Sequence, residues 1–167
     1  MLQTSALAIG FKEGRDGVST ISQGLNLRLN PNELVCLVGP NGVGKSTLLR
    51  TLIGLQKPLS GEIRLLGQSL KQFTATQLAK SVSVVLTNPV SAGAMRVGEL
   101  VALGRYPFTG LFDVLTRNDL DVVDQSLEIV GAMPLKNRYI DELSDGEKQR
   151  VMVARALAQE PHLLVLD

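Results

Sequence analysis

The chain has 167 residues, which is enough for one domain with a hydrophobic core. Its composition, with 44% hydrophobic and 20% charged residues, is typical of a globular protein. A net charge of +1 gives no strong positive field that would attract nucleic acid or an anionic membrane. The single cysteine, Cys36, excludes an internal disulfide and a multi-cysteine metal site. We expect neither a secretory signal nor a membrane span, so other chains would have to cross any membrane at which the protein works.

Apolar runs and glycine-bearing turns alternate in the first half of the chain. Strands are predicted at residues 2–11, 25–30, 62–66 and 82–86, with a charged hairpin or loop at residues 12–16. Residues 33–38 form an apolar run that precedes a glycine, which predicts a buried strand with Cys36 as a small core side chain. Helices are predicted from Lys45 to Ile53, and from a cap at Thr74 through Lys80.

Helical patterns dominate the second half, beginning with a helical stretch around residues 97–104. Thr116 followed by Asp119 resembles a capping box, and the helix after it runs through Val130. One apolar face of that helix is predicted from the 3–4 spacing of Leu120, Val123, Leu127 and Val130. A further helix is predicted at residues 145–159 and a last apolar strand at 162–166, with the only histidine, His162, at the surface or strand edge. Residues 88–143 are therefore predicted to be a helical insert in an α/β chain.

The segment from Gly39 to Ser46 reads GPNGVGKS and matches G-x-x-x-x-G-K-[ST] at every fixed position. Glycines allow the backbone to curve so that N–H groups meet phosphate oxygens, and the following helix adds its positive N-terminal end. We therefore predict a phosphate site for ATP, in which Lys45 reaches the β- and γ-phosphates and Ser46 ligates Mg²⁺. The predicted nucleotide-binding residues of this loop are Gly39, Asn41, Gly42, Gly44, Lys45, Ser46 and Thr47.

Two later motifs narrow this prediction. The segment Leu143 to Glu147 reads LSDGE, about a hundred residues after the loop, and the strand at 162–166 ends in Asp167. In this order the three motifs resemble the ATP-binding-cassette (ABC) ATPases, whose signature is usually written LSGGQ. The resemblance implies that Ser144, Gly146 and Glu147 act in trans on the nucleotide of a second copy. Asp145 and Glu147 depart from the usual glycine and glutamine, and we expect the role to survive with an altered charge near the γ-phosphate.

The resemblance implies three further roles. Asp167 would hold Mg²⁺ together with Ser46, through a bound water. The family has a Mg²⁺-contacting glutamine where this chain has Thr87, so either Thr87 or Asn88 would substitute for it. Phe11 occupies the position of an aromatic residue that stacks on adenine, although a core role is an equal alternative.

The resemblance implies an α/β P-loop NTPase core with an N-terminal antiparallel β subdomain and an inserted helical subdomain. The expected division is 1–87 for the nucleotide-binding core, 88–143 for the helical subdomain, and 144–167 for the return to the core. The stretch at 97–108, which ends in GRYPF, resembles importers of iron–siderophore, haem and cobalamin. In that branch the ATPase is a homodimer beneath integral-membrane permeases, peripheral to the cytoplasmic face of the inner membrane. An extracytoplasmic substrate-binding protein is an indirect partner, and no nucleic acid is expected.

The family's next residue after Asp167 is a glutamate that polarises the attacking water, and further core elements follow it. We therefore expect these 167 residues to lack the C-terminal part of the core, and to bind ATP and Mg²⁺ better than they hydrolyse ATP. Two alternatives remain: a hydrolysis-deficient nucleotide-binding fragment, and a soluble ABC protein without a transport role. The second alternative predicts a longer insert or a second cassette and basic patches, which the sequence lacks.

Overall fold

The structure is a computed structural model, which describes residues 2–13, 17–85, 94–110 and 114–167. The chain divides into two compact units, Met1–Thr74 and Ala75–Asp167. Across the described ranges, no helix combines the length and the apolar character that crossing a membrane requires.

An antiparallel sheet forms the first unit. Its strands are β1 (Leu2–Glu13), β2 (Gly17–Leu25), β3 (Arg28–Leu29), β4 (Ser60–Leu65) and β5 (Gln68–Ser69). They lie in the order β2-β1-β4-β5, and β3 also pairs with β1. The β1–β2 hairpin closes with Glu13 opposite Gly17. The N-terminal antiparallel β region predicted from the sequence is confirmed.

Strand β1 changes partners along its length, and a glycine permits the change. Residues 2–5 pair with β4, the register shifts between Ser5 and Ala8, and Ala6 takes a left-handed φ of 46°. A Cβ atom on Gly61 would lie 2.5 Å from the carbonyl oxygen of Ala6. Glycine at position 61 therefore lets the two backbones approach closely at the irregular point of the sheet.

Helix α1 (Lys45–Leu52) contacts β1 in the first unit. Thr51 is fully buried, and its hydroxyl donates to the carbonyl oxygen of Thr47 at 2.7 Å. After the helix, the side-chain amide of Gln56 donates to the carbonyl oxygen of Gly10 at 2.7 Å. The buried apolar side chains of this unit are Leu2, Leu7, Ala8, Ile9, Leu52, Ile53, Ile63 and Leu65. These contacts fix α1 against the sheet and so fix the loop that leads into the helix.

The prediction of a buried strand at residues 33–38 is wrong for this structure. The segment has no strand assignment, and all of its side chains are exposed, including Leu34 and Val38 at 89% each. Cys36 is exposed as well, which corrects its prediction as a core side chain. An apolar run becomes a buried strand only where a neighbouring strand pairs with it, and among the described residues no strand does so.

The second unit combines a parallel strand pair with helices. Its elements are α2 (Ala75–Ser81), β6 (Val82–Val85), α3 (Val97–Ala102), α4 (Arg117–Ile129), α5 (Asp145–Ala158) and β7 (Leu163–Leu166). Strands β6 and β7 are parallel, with Val82 opposite Leu163 and Val85 opposite Leu166. A 3₁₀ helix (Leu103–Phe108) continues α3. Helix α3, the 3₁₀ helix and α4 confirm helical structure within the predicted insert, whose bounds at 88–143 stay a prediction.

Helices α3, α4 and α5 of the second unit share one apolar cluster. Its buried members are Val97, Leu100, Val101, Val123, Leu127, Ala132, Ile140, Leu143, Val151, Ala154 and Ala158. Val123 and Leu127 lie on the predicted apolar face of α4, which confirms the helical period. Leu120 is an exception, because it is 49% exposed. It lies at the rim of a cavity of about 380 Å³ that Leu103, Tyr106 and Lys136 also line.

Candidate functional site

The phosphate loop ends in a glycine that begins α1. Gly44 is the N-cap residue, with φ 100° and ψ 15°, and its carbonyl oxygen accepts the N–H of Leu48 at 2.9 Å. Since Gly44 has no side chain, it cannot cap the helix as Ser or Thr would. The first turn of α1 contains no acidic residue. Its N–H groups and positive dipole end therefore favour an external anion, as the loop motif predicts.

Lys45 folds back over the loop that precedes it. Its ammonium group donates to the carbonyl oxygens of Gly39 and Pro40, each at 2.7 Å. The loop itself is exposed at Gly39, Asn41 and Gly42. The arrangement holds one positive charge inside the curve of an open loop, where it can exchange its carbonyl partners for phosphate oxygens.

The glycines of the loop are required for different reasons. Gly42 has φ 79° and faces open space, so only its backbone conformation favours glycine. At Gly44, a Cβ atom would also lie 2.4 Å from Cγ2 of Ile21 on β2. The sheet therefore packs directly against the loop at this position. Ser46 and Thr47 follow in the first turn of α1, with Ser46 exposed.

Phe11 lies on β1, opposite Ser19, with half of its surface exposed. This exposure leaves the ring accessible for stacking and does not support the alternative of a core role. Its role toward adenine stays a prediction.

The signature segment forms the N-terminal cap of α5. The Ser144 hydroxyl lies 2.7 Å from Oε2 of Glu147, which also accepts the Ser144 N–H at 2.9 Å. The Ser144 hydroxyl in turn accepts the Glu147 N–H at 3.4 Å, which completes a capping box. Hydrogen bonds from Ser144 hold the pKa of Glu147 below its ordinary value. Gly146 is exposed, and a Cβ atom there would meet nothing within 4 Å.

Asp167 directly follows β7 at the carboxyl ends of the parallel pair. Its N–H donates to the carbonyl oxygen of Val85 at 3.0 Å, so it lies level with the end of β6. This is the end of a parallel sheet at which ligands bind in α/β proteins. Thr87 and Asn88, the predicted substitutes for glutamine, lie outside the described residues. In the described part of the chain, no cluster of three or more His, Cys, Asp or Glu side chains forms a metal site.

The main feature that the sequence analysis missed is an ion-pair network in the second unit, in which Arg105 and Asp119 are buried and Glu160 is exposed. Arg105 is 3% exposed, and its guanidinium contacts Asp119, Glu160 and the carbonyl oxygen of Ala158. Lys80 and Arg105 both lie over the Phe108 ring, at 5.0 and 4.1 Å from its centre. The arginine within the run GRYPF was visible in the sequence, but its partners lie 14 to 55 positions away. The sequence contains no pattern that connects them.

Comparison with known proteins agrees with this geometry. The sequence profile of ABC transporters matches residues 22–167. An uncharacterised ABC transporter ATP-binding protein of Methanocaldococcus jannaschii is 42% identical over the whole chain, which covers 56% of that protein. The ferric enterobactin transport ATP-binding protein FepC of Escherichia coli is 33% identical over 99% of the chain and 59% of its own length. The chain thus spans less than two thirds of these relatives.

Solved structures of ABC transporter proteins have a fold similar to that of this chain. The cbiO1 protein of Clostridium perfringens, part of the ABC transporter complex cbiONQ, matches 99% of the chain and 64% of its own length. Its TM-score is 0.82 at 29% identity. An inward-facing ABC transporter, described as of the metal-chelate type, matches 99% of the chain and 58% of its own length, with a TM-score of 0.79 at 30% identity. The fold is that of the α/β P-loop core of ABC ATPases. The chain belongs to the ABC transporter family.

Proposed function

We propose that the protein is the ATP-binding and ATP-hydrolysing subunit of an ABC importer. The observation that carries this proposal is the loop at Gly39 to Lys45, which holds an ammonium group inside an exposed, glycine-bent turn at the start of α1. Lys45 would bind the β- and γ-phosphates of ATP in place of the two carbonyls, and the N–H of Thr47 would lie near the α-phosphate. The exposed ring of Phe11 would stack on adenine.

Magnesium would bind to hard oxygen ligands that the chain supplies. The Ser46 hydroxyl and the Asp167 carboxylate are both of this kind, and each lies at the end of an element, at the start of α1 and after β7. Thr87 or Asn88 would complete the set. When bound, the ion would neutralise charge on the phosphates and polarise the bond that breaks.

The signature segment would act on a second copy of the chain. Ser144, Gly146 and Glu147 are at or near the start of α5, and the open space beside Gly146 leaves room for a phosphate from outside. In a homodimer, this turn would close over the γ-phosphate held by the partner's loop. The hydroxyl of Ser144 would then share its bond to Glu147 with the nucleotide.

Closure of the dimer on ATP would move the helical subdomain, and the helical subdomain would transmit this movement to a permease in the membrane. Within the stretch at 97–108, Tyr106 is 54% exposed and lines the cavity near Leu120, which supports an interface role for this part of the insert. The permease, the extracytoplasmic binding protein and a peripheral position at the cytoplasmic face belong to this proposal. So do the subdomain bounds 1–87, 88–143 and 144–167.

The substrate class proposed is a metal chelate: iron–siderophore, haem or cobalamin. FepC and the iron(3+)-hydroxamate import protein FhuC of Bacillus subtilis, 34% identical over 99% of the chain, support the iron–siderophore member of this class. Partner chains would recognise the substrate, so this chain would supply only the free energy of ATP binding and hydrolysis that drives transport. The alternative is a nucleotide-binding chain that holds ATP with little turnover of its own.

The proposal is tested by titrating the chain with Mg–ATP in a calorimeter and comparing it with Lys45→Ala. We expect the variant to bind at least about tenfold more weakly, because a charge-assisted contact to phosphate contributes about 1.5–3 kcal/mol. Lys57→Ala is the matched control, since Lys57 is an exposed lysine of the same unit. Equal affinity of the chain and of Lys45→Ala would contradict the assignment of the loop. Phosphate release in the same samples separates an active ATPase from the alternative.

A further inference from the structure

The start of the GRYPF run is fitted closely to the end of the signature helix. A Cβ atom on Gly104 would lie 2.3 Å from the carbonyl oxygen of Arg155 and 3.2 Å from Cβ of Ala158, both on α5. Gly104 and Ala158 are buried, and Ala154 on the same helix is buried as well. Small residues on both sides therefore bring the 3₁₀ helix into direct contact with the last turn of α5.

Arg105 uses this close approach to connect three elements. Its Nη1 donates to the carbonyl oxygen of Ala158 at 2.8 Å and to Glu160 at 2.7 Å, while its Nε donates to Asp119 at 2.9 Å. The carbonyl of Ala158 is among those that an α-helix leaves without an intrahelical partner. Arg105 thus binds the C-terminal end of α5, where a cation also meets the negative end of the helix dipole.

Asp119 lies in the first turn of α4 and is held on both of its oxygens. Oδ1 accepts from Arg105, and Oδ2 accepts from the N–H and the hydroxyl of Thr116, at 2.9 and 2.6 Å. Beyond the C-terminal end of α4, the carbonyl oxygen of Gly131 accepts a hydrogen bond from Arg150 in the middle of α5. Helices α4 and α5 are therefore antiparallel, and Arg105 joins the start of α4 to the end of α5.

We propose that Arg105 is a positioning residue that fixes the signature helix against the helical insert, so that the turn at Ser144 to Glu147 is held in one orientation. This inference rests on the proposed function, because only a signature that meets a nucleotide needs a set orientation. The planar fork of arginine can satisfy an aspartate, a glutamate and a carbonyl from one side chain, whereas a lysine ammonium acts as a point charge. Fork geometry, and not charge alone, is what the structure uses here.

The test measures the orientation of α5 directly, without nucleotide. Nitroxide labels on Asp121→Cys at the start of α4 and Asp145→Cys at the start of α5 lie about 20 Å apart along the helix direction, given 1.5 Å of rise per residue. Both sites are exposed, and Cys36→Ser removes the remaining thiol. Pulsed electron–electron double resonance then gives the distribution of distances between the two labels. It is compared in the chain with Arg105, in Arg105→Lys and in Asp119→Asn.

We expect both variants to widen the distance distribution about twofold at temperatures well below their unfolding midpoints. The reason is that α4 and α5 lose the contact through Arg105 between the start of α4 and the end of α5. Arg138→Lys is the matched control, since its exposed ion pair with Glu142 lies in the same unit, and it should leave the width unchanged. An unchanged width in both Arg105→Lys and Asp119→Asn, with only lower midpoints, would mean that the network merely stabilises the fold and would overturn the proposal. If Arg105→Lys kept the width of the chain with Arg105 while Asp119→Asn widened it, the positive charge alone would be sufficient, and the role given to the guanidinium fork would be overturned. Nucleotide binding at Lys45 is measured separately, so failure here leaves the proposed function standing.

Discussion

Gly42 and Gly44 show how single residues determine the shape of the phosphate loop. Both have left-handed backbone conformations, with φ of 79° and 100°. Only Gly44 also lies against another side chain, that of Ile21 on β2. Backbone conformation and packing can therefore be tested separately within one loop.

Replacing each glycine by alanine should distinguish the two effects. We expect Gly42→Ala to lower the free energy of unfolding by about 1 kcal/mol, the cost of a left-handed non-glycine residue. Gly44→Ala should cost about 1–2 kcal/mol more, because its Cβ would lie 2.4 Å from Ile21 and one of the two must move. Urea unfolding measures both values. Ile21→Ala in the Gly44→Ala background should recover part of the loss, and equal losses at the two glycines would contradict this account of the packing.

At the scale of elements, the three longest helices begin in two different ways. Helices α4 and α5 cap themselves, with Thr116 and Asp119 in one and Ser144 and Glu147 in the other. Helix α1 begins with Gly44 and has no acidic residue in its first turn. A helix start that lacks a cap of its own is the one suited to binding an anion from outside. The start of α1 is therefore distinguished from the starts of α4 and α5 by its own local chemistry.

The cap of α4 should make stability depend on pH in the acid range. Hydrogen bonds from Thr116, and then from Arg105, lower the pKa of Asp119 from 3.8 to about 2. Because the folded-state pKa lies below the unfolded one, the carboxylate stabilises the fold above pH 3.8 and loses that contribution as pH falls through about 2. We expect the stability difference between the chain and Asp119→Asn to be largest near neutral pH and to shrink below about pH 4. Denaturant unfolding at a series of pH values measures it, and a constant difference would contradict the assigned pKa.

Helices whose ends are marked by capping residues or glycine could be predicted from the sequence. The capping box at Thr116 placed α4 within a residue, and the helices predicted at 145–159 and from Lys45 to Ile53 match α5 and α1 equally well. Strand β2 was missed except at its end, because residues 17–24 are mostly polar or glycine and pair as an exposed hairpin. The strand predicted at 33–38 was wrong because an apolar run does not identify its partner strand. The Arg105 network was missed because its members come from distant positions.

At the scale of the molecule, the residues predicted for nucleotide chemistry are divided between the two units. Gly39 to Thr47 and Phe11 belong to the first, while the signature segment and Asp167 belong to the second. The order of the motifs in the sequence was sufficient to predict the family, because it does not depend on how the two units are arranged. Their joint action in one nucleotide site is part of the proposed function and depends on the assignment of the loop.

The most direct test of that assignment is a titration of the ¹⁵N-labelled chain with Mg–ATP, followed by amide NMR spectra. We expect Lys45→Ala to reduce the chemical-shift changes strongly, and the largest changes to fall on Gly39, Asn41, Gly42, Gly44, Lys45, Ser46 and Thr47. Changes concentrated elsewhere in the chain, or a pattern that persists in Lys45→Ala, would contradict the claim that this loop binds the phosphates.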